Sequence, residues 1–121
     1  MGRKKKILIV EDEEIFATSM QRVLIRSGYD VSQPVSTGEE AVKRVREEKP
    51  DLVIMDVMLE GKIDGIEAAM NIRSMHDMPI VFISGYQEEA LLERAKSVGS
   101  SIYLIKPIKP QDLESAINQS L

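Results

Sequence analysis

Glu11 with Asp12, Asp56, Ser84 and Lys106 each stand directly after a short apolar run: ILIV, LVIM, IVFI and IYLI in turn. Brought together, these side chains define a specific chemistry. Two carboxylates about 4 Å apart repel by roughly 4 kcal/mol at an effective dielectric of 20, so three of them at one place call for a compensating divalent cation. Oxygen ligands without histidine or cysteine suit a hard ion, and Mg²⁺ characteristically takes one or two carboxylates, keeps waters and shares phosphate oxygens. Lys106 and the Ser84 hydroxyl are then natural donors to two oxygens of a phosphoryl group. Asp56, between the acid pair and the hydroxyl, is the best-placed nucleophile, since a carboxylate can form an aspartyl phosphate. Taken singly the same residues have plainer readings: strands end in something polar, and Asp12 would serve to cap a following helix.

Residues spread from position 11 to position 106 can be gathered only by the fold. The runs at 7–10, 52–55, 80–83 and 102–105 are rich in Ile and Val and do not alternate, as expected of strands covered on both faces. Helical patterns lie between them. Phe16, Met20, Val23 and Leu24 keep one face through residues 13–27, and Gly28 is the stop. Ala41, Val42 and Val45 mark a second helix, with Glu39 and Glu40 in its first turn and Lys49-Pro50 ending it. Ile66, Ala69 and Met70 mark a third; Leu91, Leu92, Ala95 and Val98 a fourth, closed by Gly99. Pro110 opens a fifth, carrying Leu113 and Ile117. The remaining strand, YDVSQPVS, contains Pro34 and belongs at a sheet edge. Five strands alternating with five helices predict an α/β, flavodoxin-like doubly wound (βα)5 fold with a parallel sheet of order 2-1-3-4-5 and helices on both faces. In such a sheet all strand carboxyl ends share one side, so the five chemical residues converge there.

On these motifs the chain resembles the receiver domain of two-component response regulators over nearly its whole length. ILIVEDE is similar to that family's acid pair, PDLVIMD to its phosphoacceptor strand, VFISG to its strand 4 hydroxyl and YLIKP to its lysine followed by proline. Each motif alone is weak; four in order at these spacings are specific. The resemblance implies that Asp56 accepts phosphate from the phosphohistidine of a sensor histidine kinase or from a phosphotransfer protein. It implies that Asp12, Asp56, the backbone carbonyl of Met58 and a water held by Glu11 arrange Mg²⁺. It makes Ser84 the switch hydroxyl and Tyr103, three residues before Lys106, the aromatic switch. It also implies a cis bond between Lys106 and Pro107. Departures are present: Glu-Asp stands where Asp-Asp is frequent, Ser84 where Thr is also common, and VMLEGKIDGIEAA lacks the usual proline and is one residue longer before Gly65.

The rest of the chain bounds these readings. Its 121 residues suit one domain, here 5–121 as the receiver with 1–4 a short basic extension. Cysteine is absent, which excludes disulfides and thiolate metal sites. A net charge of −4 argues against direct binding to nucleic acid, with the RKKK run at 3–6 read as a solvated terminus. No apolar run approaches a membrane span and no signal-peptide pattern is present, so no membrane partner and a cytoplasmic location are expected. His76, the only histidine, reads as a loop residue. The chain ends about where the fifth helix should, which suggests either a module without its own output domain or a receiver excised from a longer protein. Its downstream protein target is unknown. Two other functions compete, a cofactor carrier on the same fold and a turnover enzyme that uses Asp56. A flavodoxin-like cofactor carrier would need a phosphate cradle after the first strand, where EDEE repels phosphate. A haloacid-dehalogenase-like phosphatase would place a second acid two residues after Asp56, where Met58 stands. The expectation is therefore a signalling module that catalyses only its own phosphorylation and dephosphorylation.

Overall fold

The computed structural model describes residues 3–121. Strands β1 (Lys6–Val10), β2 (Asp30–Val31), β3 (Leu52–Asp56), β4 (Ile80–Ser84) and β5 (Ser101–Ile105) alternate with helices α1 (Glu14–Arg26), α2 (Gly38–Glu48), α3 (Gly65–Arg73), α4 (Glu89–Val98) and α5 (Pro110–Ser120). The strands form one parallel sheet in the order β2-β1-β3-β4-β5, as the apolar runs and Pro34 predicted. Successive residues of the central strands serve opposite faces. Leu8, Val10, Val53, Met55, Ile80 and Phe82 are buried toward α2, α3 and α4, while Ile7, Ile9, Leu52, Ile54, Val81 and Ile83 are buried toward α1 and α5. Full burial of one such side chain is worth about 1.5–3 kcal/mol, which is why both faces must be covered and why the runs do not alternate.

The edge strand is shorter than the YDVSQPVS run suggested. Only Asp30 and Val31 pair regularly with β1; the chain leaves the ladder at Ser32–Pro34 and returns at Val35, whose N–H donates to Ile9 O (3.0 Å) and whose carbonyl accepts from Glu11 N (2.9 Å). Pro34, with no N–H to give, sits in the interruption. At the other end, Lys6 belongs to β1 rather than to the basic terminus, its N–H donating to Asp51 Oδ2 at 2.7 Å. Arg3 lies 3.9 Å from the same carboxylate, while residues 1 and 2 of the proposed extension lie outside the described residues.

The lengthened connection after β3 has a defined shape. Gly65 opens α3 where a Cβ would collide with the carbonyl of Asp56, and its N–H donates to Val57 O at 2.8 Å. Asp64 caps α3 by accepting from Glu67 N at 2.8 Å and pairs with Arg94 of α4 at 3.0 Å. Thus the loop is joined to α3 and α4 by one carboxylate, without the proline that the family pattern has there.

Candidate functional site

The carboxyl ends of β1, β3, β4 and β5 bring Glu11, Asp12, Asp56, Ser84 and Lys106 to one side of the sheet. A cleft there is lined by Glu11, Asp12, Glu13, Asp56, Met58, Gly85, Tyr86 and Lys106. Convergence follows from register: Val10 is level with Met55, Asp56 with Ile83, and Ser84 with Ile105. Glu11 is therefore level with Asp56, Ser84 one residue beyond it and Lys106 one residue beyond Ser84, so all four reach the same rim. Glu11 and Asp56 are nearly inaccessible at 2% and 4% exposure, and Ser84 is fully buried. Carboxylates seldom tolerate such burial without a partner. Here Lys106 Nζ supplies it, 2.9 Å from Glu11 Oε1 and 3.1 Å from Asp56 Oδ2, and it also lies 4.9 Å from the ring centre of Phe16.

Electrostatics follow from this crowding. Burial, then the neighbouring Asp56, push the Glu11 carboxyl above its ordinary pKa, against the opposing pull of Lys106 and the Glu13 N–H. For Lys106 burial works toward a lower pKa, but Glu11 and Asp56 together outweigh it and hold the ammonium above its usual value. One lysine facing three carboxylates leaves the cluster anionic. One ligand oxygen from each of Glu11, Asp12 and Asp56 lies within 4.8 Å of the others. This all-oxygen donor set, with one cation against three carboxylates, fits a hard divalent cation such as Mg²⁺.

Asp12 does not cap α1. The cap position belongs to Glu13, whose side chain makes no capping bond, while Glu13 N donates to Glu11 Oε2 at 3.3 Å. The plainer reading of Asp12 thus loses its support. Met58 stands at the cleft with half its surface exposed, and its N–H donates to Asp56 Oδ1 at 3.1 Å. The Lys106–Pro107 bond is cis, as the resemblance implied.

Ser84 and Tyr103 are linked through a residue that the sequence did not single out for this purpose. Tyr86 N donates to Ser84 Oγ at 3.0 Å, and the Tyr103 hydroxyl donates to Tyr86 O at 3.1 Å. The Tyr103 ring is partly buried, 6.3 Å from that of Phe82. Main-chain bonds of this kind leave no trace in residue type, so no motif could have shown the link. The Phe16 contact with Lys106 was hidden for a related reason: Phe16 fitted a helical apolar face equally well as packing. His76 lies in the loop between α3 and β4, as expected.

Comparison with known proteins agrees with this geometry. A profile of the response regulator receiver domain matches residues 7–118. The alkaline phosphatase synthesis transcriptional regulatory protein PhoP of Bacillus subtilis is 42% identical over 97% of this chain and 48% of its own length. The transcriptional regulatory protein PdtaR of Mycobacterium tuberculosis is 39% identical over 93% of this chain and 55% of its own. The chain spans about half the length of these curated relatives. Among solved structures, the signal receiver domain of a modulated diguanylate cyclase from Desulfovibrio desulfuricans G20 superposes with a TM-score of 0.88 at 35% identity, covering 97% of this chain and 93% of that one. Sequence, strand order and the chemistry at the sheet's carboxyl edge lead to one assignment: this chain belongs to the receiver domain family of two-component response regulators.

Proposed function

We propose that residues 5–121 act as a receiver whose phosphoacceptor is Asp56, charged by a histidine kinase or a phosphotransfer protein in the cytoplasm. The observation that carries this reading is the buried Asp56 carboxylate held 3.1 Å from Lys106 Nζ beside Glu11 and Asp12. A carboxylate oxygen of Asp56 attacks phosphorus, the P–N bond of the donor phosphohistidine breaks as the O–P bond forms, and the imidazole leaves with the bonding pair. Lys106 and the Ser84 hydroxyl stabilise the transferred oxygens; the bond from Tyr86 N uses a lone pair of Ser84 Oγ and leaves its proton to donate. Glu11, Asp12, Asp56 and the Met58 carbonyl would hold Mg²⁺, which when bound neutralises negative charge on the phosphoryl group. The catalysis concerns this chain's own aspartate, without turnover of other substrates. Incubation with acetyl phosphate and Mg²⁺, followed by peptide mapping, is expected to place a single acid-stable, base-labile adduct on Asp56; an adduct elsewhere refutes the assignment.

The output follows from the Ser84–Tyr86–Tyr103 link. A phosphoryl group adds about −1.5 to −2 charges and strong acceptor oxygens, which draw the Ser84 hydroxyl and loosen its bond from Tyr86 N. The Tyr86 carbonyl that receives the Tyr103 hydroxyl then shifts, and the ring can turn inward, remodelling α4, β5 and α5 for a downstream protein. Amide exchange over 89–120 is expected to change on addition of a phosphoryl mimic, and to change less in Tyr103→Phe. Identical exchange in both states would remove the switch.

Persistence of the signal depends on water reaching phosphorus. Met58 and Tyr86 line the cleft beside Asp56, each with about half of its surface exposed at 51% and 50%. Neither carries a carboxylate or amide that would orient a water, and both crowd its approach, so self-dephosphorylation is expected to be slow. Decay of the adduct should quicken by about tenfold in a Met58→Asn, Tyr86→Glu double variant, a modest gain beside what a fully positioned acid or base gives. Unchanged or slower decay in that variant would assign the limit to other groups.

A further inference from the structure

We propose that Glu39, in the first turn of α2, is a positioning residue for the phosphorylation site, acting through the lengthened loop that follows Asp56. Its carboxylate Oε1 accepts from both Lys62 N (3.0 Å) and Ile63 N (3.2 Å), although the pairs are 23 and 24 residues apart in sequence. Thr37, the α2 cap, is bridged to Glu60 of the same loop. Gly61 lies between the two attachments in a left-handed conformation, φ +101°, and a Cβ added there would sit 2.8 Å from Glu39 Oε2. That backbone conformation favours glycine, and a side chain there would also press on the Glu39 carboxylate. At its other end the loop touches the reacting group directly, because Met58 N donates to Asp56 Oδ1.

Loop residues 57–63 are therefore suspended between the Asp56 carboxylate and the start of α2. Two charge-assisted bonds to one carboxylate make the α2 anchor strong for an exposed site. The loop's extra residue would otherwise have freedom to move Met58 relative to Asp56, and the Glu39 clasp removes that freedom. The neighbouring Glu40 is engaged elsewhere, its N–H donating to the Thr37 cap and its Oε1 accepting from the Thr37 hydroxyl. It thus provides a control, a first-turn acid of the same helix that bonds the Thr37 side chain but makes no bond to the loop itself.

This proposal rests on the reading of Asp56 and its acidic neighbours as the Mg²⁺ and phosphoryl site, and the test separates the two. Mg²⁺ affinity and amide exchange without metal are measured for the wild-type chain, Glu39→Ala, Glu39→Gln and Glu40→Ala. Glu39→Ala is expected to bind Mg²⁺ about tenfold more weakly, the lower end of what loss of a ligand-orienting group costs, and to exchange faster at Lys62 and Ile63. Glu39→Gln, which keeps an acceptor oxygen, should recover part of both, and Asp56 should still label fully in Glu39→Ala at saturating Mg²⁺. Glu40→Ala should leave Mg²⁺ binding and exchange at Lys62 and Ile63 as in wild type. Equal Mg²⁺ affinity in Glu39→Ala and Glu40→Ala, or unaltered exchange at Lys62 and Ile63, overturns the positioning role while leaving the site reading intact. A wild-type chain that takes up no Mg²⁺ overturns the site reading, and the positioning role with it.

Discussion

Asp56→Asn is expected to carry no label from acetyl phosphate, a fall of at least about a thousandfold, because an amide lacks the nucleophilic oxygen that forms the acyl phosphate. Asparagine has nearly the shape of aspartate, keeps an acceptor for the Met58 N–H and fits a side chain that is almost fully enclosed. It loses the ion pair with Lys106, yet it also removes one of three crowded carboxylates and leaves Glu11 as the partner of that lysine. Folding should therefore survive, and thermal unfolding monitored alongside the labelling separates loss of chemistry from loss of structure. Labelling of a folded Asp56→Asn chain at the wild-type rate would show that another residue accepts the phosphoryl group.

The second large effect belongs to Asp12. Unlike Glu11 and Asp56, it makes no ion pair with Lys106 and caps no helix, so its carboxylate contributes little to folding among the described residues. Its proximity to two other acids is a repulsion that a cation would reverse. Asp12→Ala should weaken Mg²⁺ binding by roughly a hundredfold or more, equivalent to about 3 kcal/mol, comparable to one charge pair at an effective dielectric near 20. Phosphorylation should fall with it. Stability without metal is expected to be unchanged or slightly higher, the reverse of what removal of a structural cap would do. Titration of Mg²⁺ by fluorescence or calorimetry, together with urea unfolding, checks both halves; wild-type Mg²⁺ affinity in this variant would remove Asp12 from the ligand set.

Periodicity and residue type were enough to read the architecture. Strands buried on both faces must be continuously apolar, and crossover helices must show one apolar face, so ILIV, LVIM, IVFI and IYLI marked four strands; Pro34 marked the edge, and right-handed crossovers made 2-1-3-4-5 the economical order. The main chemical residues were legible for the same reason: a parallel sheet sends every strand's carboxyl end to one side, so position after a strand becomes position in space. Local reading failed where contacts depend on the main chain or on distant partners. The return of the edge strand to the ladder at Val35, the absence of a cap by Asp12, and the run from Ser84 Oγ through Tyr86 to the Tyr103 hydroxyl arise from backbone groups whose directions no side-chain pattern encodes. Glu39 shows the limit most clearly. Its sequence neighbours make it a first-turn helix acid, as expected from the helix dipole, and only the packing of α2 beside the loop after β3 turns that same carboxylate toward Lys62 N and Ile63 N. By itself the sequence determined which residues reach the carboxyl edge of the sheet, because apolar periodicity and the residue that ends each run are local properties. Tertiary structure alone decided how Lys106 divides its charge between Glu11 and Asp56 and how the lengthened loop is held, because both depend on distances between groups far apart in the chain.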